Sequence, residues 1–139
     1  AALVHDVRKI SIADAIRLKP GRLTAEEYDE VKKHAELGAQ IVEDVLLPEQ
    51  VEWIRHHHER PDGAGYPEKL TGDALSEGAA LMALADAFDV MTAARSYSTA
   101  KSVDVAVAEC RDLVGRQFTA EAVAALELVR ASPEPLLSA

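Results

Sequence analysis

Apolar residues recur along most of the chain at intervals of three and four positions, the spacing that gathers them on one face of an α-helix. No stretch of useful length alternates apolar and polar residues as a half-buried strand does. The pattern therefore predicts an all-α bundle. Its expected helices cover approximately residues 1–10, 25–34, 35–46, 48–58, 77–94, 102–115 and 119–132.

Capping and turn residues mark several ends of these helices. Thr24 and Glu27 have the spacing of a capping box, in which each side chain accepts a hydrogen bond from the other residue's amide. Pro48 suits the first turn of a helix because it lacks an N–H. The helix at 77–94 is apolar almost all round, which predicts that it is buried at the centre of the bundle. Prolines and glycines make residues 60–76 a loop.

Size, charge and cysteine content narrow the class of protein. The 139 residues suffice for one domain, expected over 1–131 and followed by a loosely ordered tail at 132–139. The net charge of −9 and the lack of a basic stripe argue against DNA as a partner. The single cysteine, Cys110, excludes an internal disulfide and favours a reducing, cytoplasmic location. No apolar run approaches the roughly 18 residues needed to span a bilayer.

Three of the five histidines are consecutive, His56 to His58, and they run directly into the loop rich in glycine and proline. Neutral imidazoles are the commonest side-chain ligands of transition metals. Glycines beside them allow a ligand to approach the backbone closely. This segment is therefore the first candidate for a chemical site.

Other residues of metal-ligand type occur on separate predicted helices. His5 is followed by Asp6, and His34 lies at a predicted helix junction. Asp86 lies on the apolar helix, where an unpaired carboxylate costs several kcal/mol unless a cation offsets it. Lys9 shares a helical face with His5 and Asp6 and could place a positive charge beside a phosphate. Each residue alone is more often a cap or a satisfied core group, but together they favour a shared cation site.

In their order along the chain these motifs resemble HD-GYP domains, a branch of the HD phosphohydrolase superfamily. The similarity covers essentially the whole chain, and the histidine–glycine signature is its most specific part. The matching segments are His5-Asp6 with Lys9-Ile10, Leu18-Lys19-Pro20-Gly21, His34 with Gly38, His57-His58-Glu59 with Asp62-Gly63-Ala64-Gly65-Tyr66-Pro67, the run from Ala85 to Thr92, and Gln117-Phe118.

The resemblance implies an HD-domain helical bundle that holds two or more divalent transition-metal ions, iron or manganese first and zinc as a further candidate. The implied activity is hydrolysis of the bacterial messenger cyclic di-GMP. Asp6, which would also bridge ions, and Lys9 are the implied catalytic residues, and His56 is expected to be solvated or to lie just outside the ligand set. The implied metal ligands are His5, Asp6, His34, His57, His58 and Asp86. The implied substrate-side residues are Gly63, Gly65, Tyr66, Arg95 and Tyr97.

The resemblance also implies partners and leaves alternatives open. Family members act with GGDEF-type cyclases or follow receiver and sensor domains, and a homodimer is a further candidate assembly. Only four residues precede His5, so a family helix with another histidine is missing from the given sequence. Arg8 replaces a usual glycine, Ala13 a proline and Ser98 an arginine. The first alternative is a degenerate module that binds nucleotide or a partner without turnover. The second is an HD phosphohydrolase acting on another nucleotide, against which the Gly-Tyr-Pro loop argues.

Overall fold

The computed structural model describes residues 16, 19, 21–93 and 99–132. This part of the chain is helical and contains no strand, only two isolated bridges, so the predicted all-α class is confirmed. A 3₁₀ turn at Gly72–Ala74 interrupts the long loop. The helices are α1 (Ala25–Val42), α2 (Pro48–His56), α3 (Glu77–Thr92), α4 (Val103–Asp112) and α5 (Ala120–Ala131).

Helix α1 begins as predicted but does not break at His34. The Thr24 hydroxyl accepts from the Glu27 amide at 3.2 Å, and the Glu27 carboxylate accepts from the Thr24 amide at 2.7 Å. Lys19, 2.6 Å from that carboxylate, is the main reason that the pKa of Glu27 lies below its ordinary value. The two predicted helices are one, because Ala35, Ala39 and Val42 continue a single buried face.

The remaining helix ends differ from the prediction by a few residues. Pro48 opens α2 as expected, but α2 ends at His56, and His57 and His58 lie in a turn. Helix α4 ends at Asp112, and a turn that contains Gly115 follows it. Such differences arise at helix ends because the final carbonyls find turn or side-chain partners that the apolar pattern does not encode.

The prediction that α3 is buried at the centre of the bundle holds for one face of the helix and is wrong for the other. Ala79, Ala80 and Leu84 are buried, whereas Leu81 is 44% and Val90 42% exposed. Helix α3 packs against α2 on one side and against α4 and α5 on another, so a strip between these contacts faces solvent. No helix in the described ranges combines the length and the apolar character required to cross a membrane.

Two apolar clusters hold the bundle together. One joins α1 to α2 and has Met82 of α3 packed against it; the other joins α3, α4 and α5. Helices α2 and α3 approach so closely that a Cβ added at Gly78 would lie 2.1 Å from the Trp53 ring. The α1–α2 pair is thus fixed on α3, and this pair carries His34 and the histidines after α2. The buried members are Ala39, Val42, Val51 and Ile54 in the first cluster, and Leu75, Ala79, Ala80, Leu84, Cys110, Phe118, Ala122 and Val123 in the second.

Candidate metal centre

Three histidines from two parts of the chain meet in one place. One ring nitrogen from each of His34, His57 and His58 lies within 4.8 Å of the others. His34 and His57 are each 1% exposed, and the ring centroids of His57 and His58 are 4.0 Å apart. His34 belongs to the buried face of α1, and the turn that ends α2 directs the other two toward it. The structure therefore brings together three of the six residues proposed as metal ligands.

Backbone carbonyls orient two of these imidazoles. The Nδ1 atom of His34 lies 2.6 Å from the Val31 oxygen, and that of His57 lies 2.6 Å from the Ile54 oxygen. A carbonyl can only accept, so each Nδ1 carries the hydrogen, and each Nε2 of a neutral ring keeps its lone pair. This tautomer, with a carbonyl behind it, is the usual state of a metal-bound histidine. The donor set therefore fits a divalent transition metal.

The spacing of His34 and His58 agrees with this chemistry. Their Nε2 atoms are 3.0 Å apart. Two nitrogens bound to one ion at about 2.0–2.1 Å are separated by roughly 3.0–3.4 Å. The same pair can share a proton when no cation lies between them. The centre is thus compatible with metal binding without a large rearrangement of its side chains.

Of the other proposed ligands and catalytic residues, the structure describes only Asp86. Asp86 is half-buried on α3 and is not a member of the close group of histidine nitrogens. Its role as a ligand stays a prediction. His5, Asp6, Lys9, Arg95 and Tyr97 lie outside the described residues, and their proposed roles stay predictions as well.

The signature loop, residues 62–67, covers the histidines. The Tyr66 ring stacks on His58 with centroids 4.8 Å apart and planes 28° apart, and it meets His34 edge-on at 6.3 Å. Gly65 is buried, and a Cβ there would lie 2.5 Å from the Arg60 nitrogen. Gly63 has φ +73°, a conformation that suits glycine. These two glycines let the loop lie directly on the chain that follows the histidines.

Asp62 anchors the first residues of this loop. It accepts from the Arg60 guanidinium at 3.0 and 2.5 Å, and from the Ala64 amide at 3.0 Å. Arg60 is the main cause, and the Ala64 amide the second, of a pKa of Asp62 below its ordinary value. The carboxylate is thereby kept ionised and acts as the acceptor of a tight turn.

Glu59 belongs to the signature but had no role assigned from sequence. It is 1% exposed, and its carboxylate accepts three successive amides. One oxygen accepts from Glu68 at 2.6 Å and Lys69 at 3.0 Å; the other accepts from Leu70 at 3.0 Å. The only sequence signal was an acidic residue placed directly between the histidines and a long loop. Its partners could not be identified because they lie nine to eleven positions away.

His56 is not solvated, which corrects one of the two expectations for it. It is 7% exposed and lies between two carboxylates. Its Nδ1 is 3.3 Å from Glu52 Oε2, and its Nε2 is 3.2 Å from Glu68 Oε1. On α2 the His56 side chain lies on the same helix face as Glu52, one turn earlier. His56 is therefore not a member of the group formed by the other three histidines.

Tyr28 is a second residue near the centre that sequence reasoning missed. It lies on α1, is 48% exposed, and meets Tyr66 edge-on with centroids 6.3 Å apart. The Lys32 ammonium lies 5.0 Å from the centre of its ring. An exposed aromatic ring beside a cation is suited to stacking on a planar heterocycle. The sequence shows Tyr28 nearly two helical turns before His34. It does not show that this tyrosine lies beside Tyr66.

These observations define a helical bundle with a candidate metal centre built from two helical segments and a covering loop. The chain belongs to the HD domain family, whose model matches residues 1–121. This match and the similar proteins described next together confirm the HD-GYP resemblance.

Known proteins similar to this chain include two cyclic di-GMP phosphodiesterases. The response regulator RpfG of Xanthomonas campestris pv. campestris is 38% identical over 143 residues, covering 98% of this chain and 37% of that protein. A Thermotoga maritima cyclic di-GMP phosphodiesterase is 38% identical over 128 residues, covering 90% of this chain and 35% of that protein. The chain therefore spans just over a third of the length of these relatives.

A solved structure supports the fold. A cyclic GMP-AMP specific phosphodiesterase of Vibrio cholerae, V-cGAP3, matches with a TM-score of 0.67 and 19% sequence identity. The match covers 88% of this chain and 32% of that one. At this identity the similarity establishes a shared helical architecture.

Proposed function

We propose that this chain is a metal-dependent phosphodiesterase module that hydrolyses cyclic di-GMP. The convergence of His34, His57 and His58, two of them oriented by backbone carbonyls for coordination through Nε2, carries the proposal. The names of the two relatives above support the choice of substrate. The ions proposed are two or more of iron or manganese, with zinc as a further candidate.

The chain's own residues have distinct parts in this proposal. The three histidines, with His5, Asp6 and Asp86, would hold the ions. Bound divalent ions supply a water of lowered pKa and stabilise negative charge on phosphate oxygens. Lys9 would neutralise charge near the scissile phosphate. Gly63, Gly65, Tyr66, Arg95 and Tyr97 are proposed to line the substrate.

Bound ions would offset the unfavourable electrostatics between this chain and the substrate. The chain carries a net charge of −9, and cyclic di-GMP is a dianion. Arg60 is engaged by Asp62, and Lys32 lies 2.5 Å from Asp29. Cations at the histidines would dominate the local field and allow the anion to approach.

Hydrolysis by the metal-loaded chain is the direct test. The chain, loaded with Mn²⁺ or Fe²⁺ and incubated with cyclic di-GMP, should release the linear dinucleotide or GMP, and chelation should stop the reaction. The 3′3′-cGAMP-specific phosphodiesterase 2 of Vibrio cholerae is 41% identical over 100 residues, so 3′3′-cGAMP belongs in the same assay as a competing substrate. A chain that holds two ions per molecule, binds cyclic di-GMP and releases no product would favour the degenerate alternative and contradict the proposal.

Replacing Tyr28 by alanine should weaken substrate binding more than it slows turnover. Stacking of a base on an aromatic side chain contributes about 1–3 kcal/mol, so KM should rise by roughly 5- to 150-fold with a smaller change in kcat. Steady-state kinetics with cyclic di-GMP measures both values. Tyr28→Phe keeps the ring and should stay within about twofold of wild type. An unchanged KM in Tyr28→Ala would show that Tyr28 does not contact the substrate.

Partners of the whole protein are proposed on the resemblance alone. They are GGDEF-type cyclases, an upstream receiver or sensor domain, and a second copy of the chain as a homodimer.

A further inference from the structure

Glu59 connects the histidine turn to a segment far along the loop. It follows His58 directly, and its buried carboxylate accepts from the amides of Glu68, Lys69 and Leu70. Three amides that donate to the two oxygens of one buried side chain fix the positions of the donors relative to it. Residues 68–70 are therefore held at a set distance from the histidines.

Tyr66 lies along the chain between Glu59 and residues 68–70. It contacts His58 through both its backbone amide and its ring. Its amide donates to the His58 carbonyl at 3.2 Å, and its ring stacks on the His58 imidazole. The other side of His58 has the tilted His57 ring, with centroids 4.0 Å apart. The Tyr66 ring thus limits rotation of the imidazole whose Nε2 is 3.0 Å from that of His34.

We propose that Glu59 is a positioning residue for the metal centre. By holding 68–70 it keeps Tyr66 stacked on His58, and through Tyr66 it keeps the His58 Nε2 directed at the group formed with His34 and His57. The inference rests on the proposed function for the presence of ions, and it adds a residue that acts on them without touching them.

The length of the side chain and its two acceptor oxygens are both needed for this role. Both carboxylate oxygens accept, whereas glutamine has one acceptor oxygen and an NH₂ group that would face a third amide as a second donor. Aspartate is shorter by one carbon–carbon bond, about 1.5 Å, and cannot reach all three amides. Glu59→Gln is therefore the smaller perturbation and Glu59→Asp the larger.

Co²⁺ binding by the complete chain tests the inference without any substrate. Removing a group that orients a metal ligand typically costs about 10–100-fold in affinity, and a fall in this range is expected for Glu59→Gln in a titration followed by the visible Co²⁺ bands. Tyr66→Ala should lower the affinity similarly. The double variant should be no weaker than Tyr66→Ala alone, because Glu59 acts through that ring.

Controls separate this role from a general loss of stability. Tyr66→Phe keeps the ring and should keep the Co²⁺ affinity. Val123→Ala, in the core between α3 and α5, should lower the melting temperature and leave Co²⁺ affinity unchanged. A Glu59→Gln protein with wild-type affinity, or a double variant whose losses multiply, would overturn the proposal. Should Glu59→Gln fold poorly, a wild-type affinity in Tyr66→Ala would overturn it equally.

The inference and the proposed function fail in different ways. Coupling between Glu59 and Tyr66 in a chain that does not cleave cyclic di-GMP would support the positioning role and contradict the proposed function. Metal-dependent cleavage with Co²⁺ affinity unaffected by Glu59→Gln would do the opposite.

Discussion

His57→Ala is expected to abolish metal binding and hydrolysis together. The imidazole is 1% exposed, and its Nδ1 lies 2.6 Å from the Ile54 carbonyl, so its metal-binding nitrogen is held in place before any ion arrives. Loss of a ligand should exceed the roughly 10–100-fold cost of losing a residue that orients one. Loss of ion stabilisation worth several kcal/mol should lower turnover by about 10³-fold or more. Metal content by mass spectrometry and cyclic di-GMP cleavage measure the two effects.

His56→Ala is the matched control, since it removes an adjacent imidazole that is also buried. His56 faces Glu52 and Glu68, and its loss should reduce stability while metal stays bound. Equal loss of metal in the two variants would show that the assignment of His57 as a ligand and of His56 as a residue outside the ligand set is wrong.

Gly65→Ala is expected to have the second largest effect, through the loop. The added Cβ would lie 2.5 Å from the Arg60 nitrogen and the Glu59 Cα, and 2.6 Å from the His58 carbonyl oxygen. These are backbone atoms and cannot turn aside, so the loop must move off the histidine turn. Overpacking of this kind costs about 1–3 kcal/mol. A 1 Å displacement of a positioned group can cost about 100-fold in rate, so a loss of this size is expected in kcat/KM.

Thermal unfolding and steady-state kinetics together assess this prediction. Gly115→Ala provides the comparison, because Gly115 has φ +76° and a Cβ added there would meet open space. That variant carries backbone strain of about 1–2 kcal/mol away from the histidines and should keep its kcat/KM. Full activity in Gly65→Ala would mean that the close approach of the loop does not matter for the site.

The described chain agrees best with the sequence where the signal is local. The Thr24 capping box, the Pro48 helix start and the all-α class need only neighbouring residues, and the structure has all three. The grouping of His34 with His57 and His58 followed from the resemblance, since spacing alone does not place residues of separate helices together. The break predicted at His34 was wrong because a buried face can continue through a region of weak pattern.

Contacts between distant residues account for what sequence reasoning missed. In the sequence Glu59 is only a polar residue next to the histidines. Its role becomes visible when the structure shows three amides, nine to eleven positions later, donating to its carboxylate. The two expectations for His56, that it is solvated or that it lies just outside the ligand set, stayed open in the sequence because nothing local tells a histidine between two carboxylates from one in water. Tyr28 gained significance only when Tyr66 was found 6.3 Å away.

The sequence by itself determined the helical class and most helix starts, because periodicity and caps act over a few positions, and its resemblance to a family singled out His34, His57 and His58 as candidate ligands. Only the tertiary structure decided which imidazole nitrogens lie close together, which side of α3 is open and which carboxylate fixes the loop. Those properties depend on how close two remote parts of the backbone come, and burial and hydrogen-bond geometry are set by that distance.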